Sequence, residues 1–183
     1  STTKPYPLQA SLVSSTEAVL DERNIGANAR IDLDGSLAEI VTSIDAQLNK
    51  ALVKGKVVLK PFADSMLGVA DLSAQALNLA ELGDDLPKTN INLQLHATEN
   101  GSGTLHIGNS AAGLYDSGRI PLSDLSLSFM QKDNKFVLDP IVVKLGSTQQ
   151  AAGSIHGTGQ YADGALNISL KTDALDLKKL DQR

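Results

Sequence analysis

The sequence predicts a mainly β, antiparallel fold with little helix, and three observations predict it. Short segments alternate apolar and polar residues with period two, clusters of Gly, Asn, Asp and Ser separate them, and hydrophobic residues never run more than three in a row. Successive strand side chains point to opposite faces, so each segment has one apolar and one wet side. That is the pattern of a half-exposed antiparallel strand.

In chain order the first clear segment is Ile31-Asp32-Leu33, and Asp34-Gly35 reads as the strand end and turn that follow it. Asp32-Leu33-Asp34-Gly35 has part of a calcium-loop spacing, but the twelve-residue ligand pattern and its closing Glu are missing. Between Ser36 and Leu52 the apolar positions Leu37, Ile40, Val41, Ile44, Leu48 and Leu52 fit a helical stripe, and Ser36-x-x-Glu39 has capping-box spacing. Local pattern there favours helix, whereas the alternation of Ile44, Ala46 and Leu48 and the strand-like flanks favour strand. Lys54, Lys56 and Lys60 share one side of a strand whose other side carries Val53, Val57 and Leu59. A solvated face is the expectation, with anionic lipid head groups as the sharper alternative.

Residues 65–82 fit either period, and an internal repeat helps to read them. A shift of 98 residues lays Leu72, Ala76, Leu77, Leu79 and Leu82 on Leu170, Ala174, Leu175, Leu177 and Leu180, with Gly55 on Gly153 upstream. The repeated unit thus spans 55–82 and 153–180 within a single segment covering 1–183, a weak serial architecture. The second copy holds the alternating run Leu166 to Leu170, so the first is expected to be strand to about Ala74, followed by a turn or one helical turn. The remaining strands are Ile91 to Ala97, Leu105-His106-Ile107 and Leu125 to Phe129, with turns at Glu99 to Gly103, Lys132 to Lys135 and Ala162 to Gly164.

Composition excludes several function classes. Sixteen Lys and Arg against 21 Asp and Glu, with a pI near 5.1, leave no electrostatic footprint for a nucleic acid. Without Cys there are no disulfides, thiolate zinc sites or cysteine nucleophiles. The 28 Leu outnumber six aromatic residues, so any core or ligand surface is aliphatic. No apolar run approaches the ~20 residues of a membrane-spanning helix, and Ser1 to Gln9 has no signal-peptide core.

No constellation reads as an active site, and no cofactor is called for. His96, His106 and His156 lack metal-ligand spacing and are expected to face solvent. Gly157-Thr158-Gly159-Gln160-Tyr161-Ala162 fits the loose dinucleotide fingerprint, but a strand rather than a helix follows it, so a hairpin is expected. Asn167-Ile168-Ser169 fits a glycosylation sequon in mid-strand.

The segment Gly103 to Asn109, followed by Ser110 through Asp116 to Gly118-Arg119-Ile120-Pro121-Leu122, resembles the TamB family of translocation and assembly module proteins. In that family a strand ending in Asn leads through a Gly-containing turn and an Asp to a G-R-[LI]-P-L segment. Leu77 to Thr89 and Gly153 to Gly159 agree with it, and the resemblance spans roughly residues 31 to 180. It implies an elongated, curled open sheet, a trough called the β-taco, with an apolar concave face. The parent would be anchored in the inner membrane outside this segment, extend through the periplasm of a Gram-negative bacterium, and pair with a TamA-like outer-membrane barrel. The wider AsmA-like group is implicated in phospholipid transport and outer-membrane protein assembly.

On that picture the groove lining is Ile91, Leu93, Leu95, Leu105, Ile107, Leu125, Leu127, Phe129, Ile141, Val143, Leu166, Ile168 and Leu170. The expected guests are phospholipid or apolar polypeptide segments, with no enzymatic activity. The alternatives are a chaperone-like module that receives nascent outer-membrane proteins or adhesins by β-augmentation, and a plain structural β domain. Open strand edges also predict edge-to-edge self-association.

Overall fold

The structure is a computed structural model, and it describes residues 6–20, 23–63, 67–132, 135–162 and 164–183. The described residues form eleven strands: β1 (Pro7–Leu20), β2 (Arg23–Ser36), β3 (Glu39–Leu48), β4 (Ala51–Leu59), β5 (Leu67–Leu77), β6 (Ile91–Ala97), β7 (Ser102–Asn109), β8 (Leu122–Lys132), β9 (Lys135–Gly146), β10 (Ala151–Ala162) and β11 (Ala165–Asp173). They make one open meander in which each strand pairs antiparallel with its neighbours in the sequence. The described residues also form three single 3-10 turns: η1 (Leu79–Glu81), η2 (Tyr115–Ser117) and η3 (Leu177–Lys179).

The helical stripe of 36–52 is overridden, and Ser36 shows how. Its hydroxyl accepts the backbone N–H of Ala38 at 3.3 Å and of Glu39 at 3.4 Å. These are the contacts of a helix cap, but they close the two-residue β2–β3 turn instead. Each Ser or Thr side chain can offer the backbone this alternative. Ile40, Thr42, Ile44, Ala46 and Leu48 then share one face of β3, with Ile44 opposite both Ile31 and Gly55.

The two copies of the repeat close alike. Residue for residue at the 98-residue shift, η1 matches η3, Asn78 and Asp176 stand at their N-caps, and Leu82 and Leu180 end them. Ala76 and Ala174 both adopt left-handed backbone, at φ 55° and 42°. The first strand runs on to Leu77, three residues past the expected end, because a bulge between Ala74 and Leu77 absorbs the left-handed residue. The upstream match is looser: Gly55 faces Leu72, whereas Gly157 rather than Gly153 faces Leu170.

Among the described residues there is no second layer. Among these residues the buried hydrophobic ones are Ala51, Ala70, Ala97, Ala112 and Ala152, and no large side chain is fully buried. The chain exposes 12003 Å², whereas a compact monomer of this mass would expose about 8,400 Å². Stability therefore rests on backbone ladders and on cross-strand side-chain pairs, each contributing ~0.2–1 kcal/mol.

Left-handed backbone costs a residue with a Cβ about 1 kcal/mol that glycine avoids. Ala76→Gly and Ala174→Gly should each raise the free energy of urea unfolding by up to about that amount.

Candidate functional site

The register decides what the sheet presents. Across the eleven strands Leu12, Ile31, Ile44, Gly55, Leu72, Leu95, Leu105, Leu127, Ile141, Gly157 and Leu170 stand opposite one another in a single row. A second row carries Ala74, Leu93, Ile107, Leu125, Val143 and Ile155. A third carries Ala70, Ala97, Gly103, Phe129, Leu138, Gly159 and Ile168. Directly opposed residues of an antiparallel pair share a face, so the rows form one continuous apolar surface.

All thirteen expected lining residues lie on that surface, with Ile91 at its end opposite Asn109 and Leu166 opposite Tyr161. Those in β6 to β9 are half-buried by their neighbours, while Leu166, Ile168 and Leu170 on the edge strand are 60%, 52% and 55% exposed. Sequence reasoning did not place Leu12, Ile31, Ile44 and Leu72 in the lining. Their strands alternate too, and only the register joins them to the row.

Two devices keep the surface continuous. Glycines in the rows are roofed from the next strand: a Cβ at Gly55 would collide with Leu72, one at Gly103 with the Phe129 ring, and one at Gly157 with Leu170. The aliphatic or aromatic neighbour fills the gap that glycine leaves. Second, Asp139-Pro140 sits where β9 carries one extra residue relative to both β8 and β10. Proline cannot donate to a ladder, and the bulge is where a sheet tolerates it. The extra residue returns Leu138 to the apolar face, and Phe136 stacks on Phe129 with ring centroids 5.4 Å apart.

The opposite face is polar and laced with charge. Each histidine meets an aspartate of an adjoining strand: His96 Nδ1 lies 2.5 Å from Asp71, His106 Nε2 2.6 Å from Asp124, and His156 Nε2 3.3 Å from Asp173. Their side chains remain about half exposed. Lys54 pairs with Asp45 at 3.7 Å, and Lys60 with Glu99 at 3.0 Å and Glu39 at 3.6 Å, so two of the three lysines are partnered by carboxylates. Glu99 holds the Lys60 ammonium above its usual pKa. A shallow groove of about 520 Å³, bordered by Lys54, Lys56, Asp71, His96 and His106, lies on this face rather than over the apolar rows. Among the described residues, no three His, Asp or Glu side chains converge as metal ligands.

The 3-10 turns gather at one end of the sheet. Thr89, 3% exposed, fastens η1: its Oγ1 accepts the Leu79 N–H at 2.9 Å and donates to the Leu77 carbonyl at 3.0 Å, while its N–H donates to Asn78 Oδ1. The Gly118-to-Leu122 segment has a comparable job. Gly118 caps η2 in left-handed backbone and accepts the Lys88 N–H, and Arg119 Nη1 donates to the Ala111 carbonyl. After η3 the chain returns to the same place, with Tyr115 N–H donating to Leu180, Gln182 N–H to Asp116, and Arg183 lying over the Tyr115 ring.

Compared with family models, curated proteins and solved structures, the chain finds no match in any of the three. No helix among the described residues is long and apolar enough to cross a membrane.

Thr89→Val would leave the Leu79 N–H and the Leu77 carbonyl unpaired near the sheet end. It should cost about 1–3 kcal/mol in urea unfolding with an unchanged m-value.

The Arg183 hydrogen bonds hold the Asp181 carboxyl down to about 2 from its ordinary 3.8, and Arg30 with Ser11 also lowers Asp32. The stability from these depressed carboxyls is fully present above the ordinary carboxylate range. It is lost as pH falls through the folded-state values. Carboxyl NMR should place the Asp181 midpoint near 2, and Arg183→Ala should return it toward 3.8.

Proposed function

We propose that this chain is a non-enzymatic segment of a TamB-like envelope protein whose apolar face shields lipid acyl chains in transit between the inner and outer membranes. It would lie in the periplasm of a Gram-negative bacterium and reach a TamA-like outer-membrane barrel through the rest of its parent. The observation that carries this reading is the single-layer sheet. One apolar row crosses all eleven strands and two more run from β5 to β10 and β11, no second layer among the described residues covers them, and the chain exposes 12003 Å², about 3,600 Å² more than a compact monomer.

The part of that surface contributed by the apolar rows is costly in water and is relieved by a guest. An acyl chain of ~16 carbons gains on the order of 12 kcal/mol gross when withdrawn from water. Aliphatic rows grip such a chain by area alone, without the fixed polar contacts that define one bound position, and so favour sliding. A sheet that curls toward its apolar side, into the trough that the family resemblance implies, would wrap the guest more fully.

The test is lipid mass spectrometry of protein purified without detergent from a Gram-negative host. Leu95→Arg and Phe129→Arg should reduce co-purifying phospholipid by about tenfold or more, since a guanidinium resists burial beside an acyl chain. Thr104→Arg, on the polar face, should leave it unchanged. Circular dichroism establishes that each variant is folded. Equal lipid loading in all three folded variants would sink the proposal.

A further inference from the structure

The register builds two polar rows across the middle of the sheet. Lys56, Asp71 and His96 stand opposite one another on β4, β5 and β6, and Lys54, Ser73 and Gln94 form the row beside them. The groove of about 520 Å³ is lined by all six. Between the rows its floor is the chain at Gly55, Leu72 and Leu95, where the two leucines turn their side chains to the apolar face and the glycine has none. At least three strands separate β4 and β6 from either edge of the described sheet, so these walls and this floor are formed wholly within it.

Charge in the groove is unbalanced. Lys54 reaches out of it to Asp45 at 3.7 Å, and Asp71, the one carboxylate lining it among the described residues, is engaged by His96 at 2.5 Å. Lys56 stands directly opposite Asp71, yet its ammonium has no ion-pair partner among the described residues. The Gln94 side-chain amide is unpartnered among them as well. Two ammonium groups and a free amide thus border a hollow that offers one carboxylate already in use, in a chain whose net charge is −5.

Uncommitted N–H donors around a hollow of small-molecule size select a compact oxyanion. Lysine ammonium groups act as point charges on flexible stems, which suits oxygens arranged in a tetrahedron better than the planar fork of a carboxylate. No Phe, Tyr or Trp lines the groove to stack a sugar or a base. We propose that the groove binds a phosphate group, held between Lys54 and Lys56 as charge partners with the Gln94 amide as a neutral donor. Asp71 opposes the anion and limits its affinity. The inference stands apart from the lipid reading, because the groove opens on the polar face and uses none of the apolar rows.

The test is NMR of the full chain titrated with inorganic phosphate and with sn-glycerol 3-phosphate, at ionic strength held constant with chloride. Both should give saturable shifts at Lys56, Ser73 and Gln94. Lys56→Gln should raise the half-saturating concentration about tenfold, the value of one charge-assisted hydrogen bond. Lys56→Arg should keep most of the binding, and Asp71→Asn should tighten it several-fold, since a carboxylate no longer faces the anion. Lys171→Gln, on the polar face of β11, should change nothing. Phosphatidylglycerol vesicles separate the sources of the group: sedimentation that depends on Lys56 assigns a lipid head group, and saturation by glycerol phosphate without it assigns a soluble ester. Absence of a saturable shift, the same shift with chloride alone, or equal weakening by Lys56→Gln and Lys171→Gln would each overturn the proposal. Co-purifying lipid should be unchanged in Lys56→Gln, which keeps this outcome separate from that of the lipid test.

Discussion

Register is the constraint on which the molecule depends. Side chains alternate with period two, so a slip of one residue at any of ten strand interfaces would turn one half of the sheet over and break the apolar rows. A sandwich would resist such a slip through its second layer, which must mate with the first. Among the described residues this sheet has no such partner, and local features hold the rows in line. The Ser36 turn, the Asp139-Pro140 bulge and the roofed glycines all act at this level. Each is a small effect, repeated along a ladder in which every strand touches only its neighbours. The energetics of such an object are close to those of a one-dimensional array.

The end of the sheet that carries the three 3-10 turns is organised differently. Here side-chain amides and hydroxyls from Asn78, Thr89 and Asn109 satisfy backbone groups that the ladder no longer serves, and the Asn90 amide donates to the Ser110 hydroxyl. Asn109 is 2% exposed and its Oδ1 accepts from both Asn90 and Ala111. The residues of the G-R-I-P-L segment belong to this scheme, with Gly118 supplying left-handed backbone and Arg119 a reach to Ala111. The family-like motif therefore encodes a connection between strands as much as a surface.

Much of the fold was legible in the sequence. Where alternation is strict and turn residues flank it, as from Ile91 to Ala97, the expected strand and β6 coincide. Residues 36–52 were ambiguous because Ile40, Ile44 and Leu48 are spaced by four, which is both a helical and an even-numbered interval, and only tertiary pairing decides between them. The candidate face was half legible: alternation found the face within each strand, but not that Ile44 and Leu72 continue the row of Leu95. The His and Asp pairs were invisible for a related reason. His96 and Asp71 are 25 residues apart, and nothing local brings them together. Least legible was the single layer, because the alternation of a strand is the same whether a second sheet or nothing at all lies over it.

The strand count has a consequence for assembly. In an antiparallel meander of eleven strands, β1 and β11 run in the same direction. Two copies placed side by side by translation would meet with parallel edges, a poorer match than the antiparallel pairs within each copy. A two-fold axis perpendicular to the sheet avoids this and keeps the apolar faces on one side, joining β11 to β11 or β1 to β1 in antiparallel fashion. Parity thus makes each edge a match for its own kind, β1 for β1 and β11 for β11, rather than for the other.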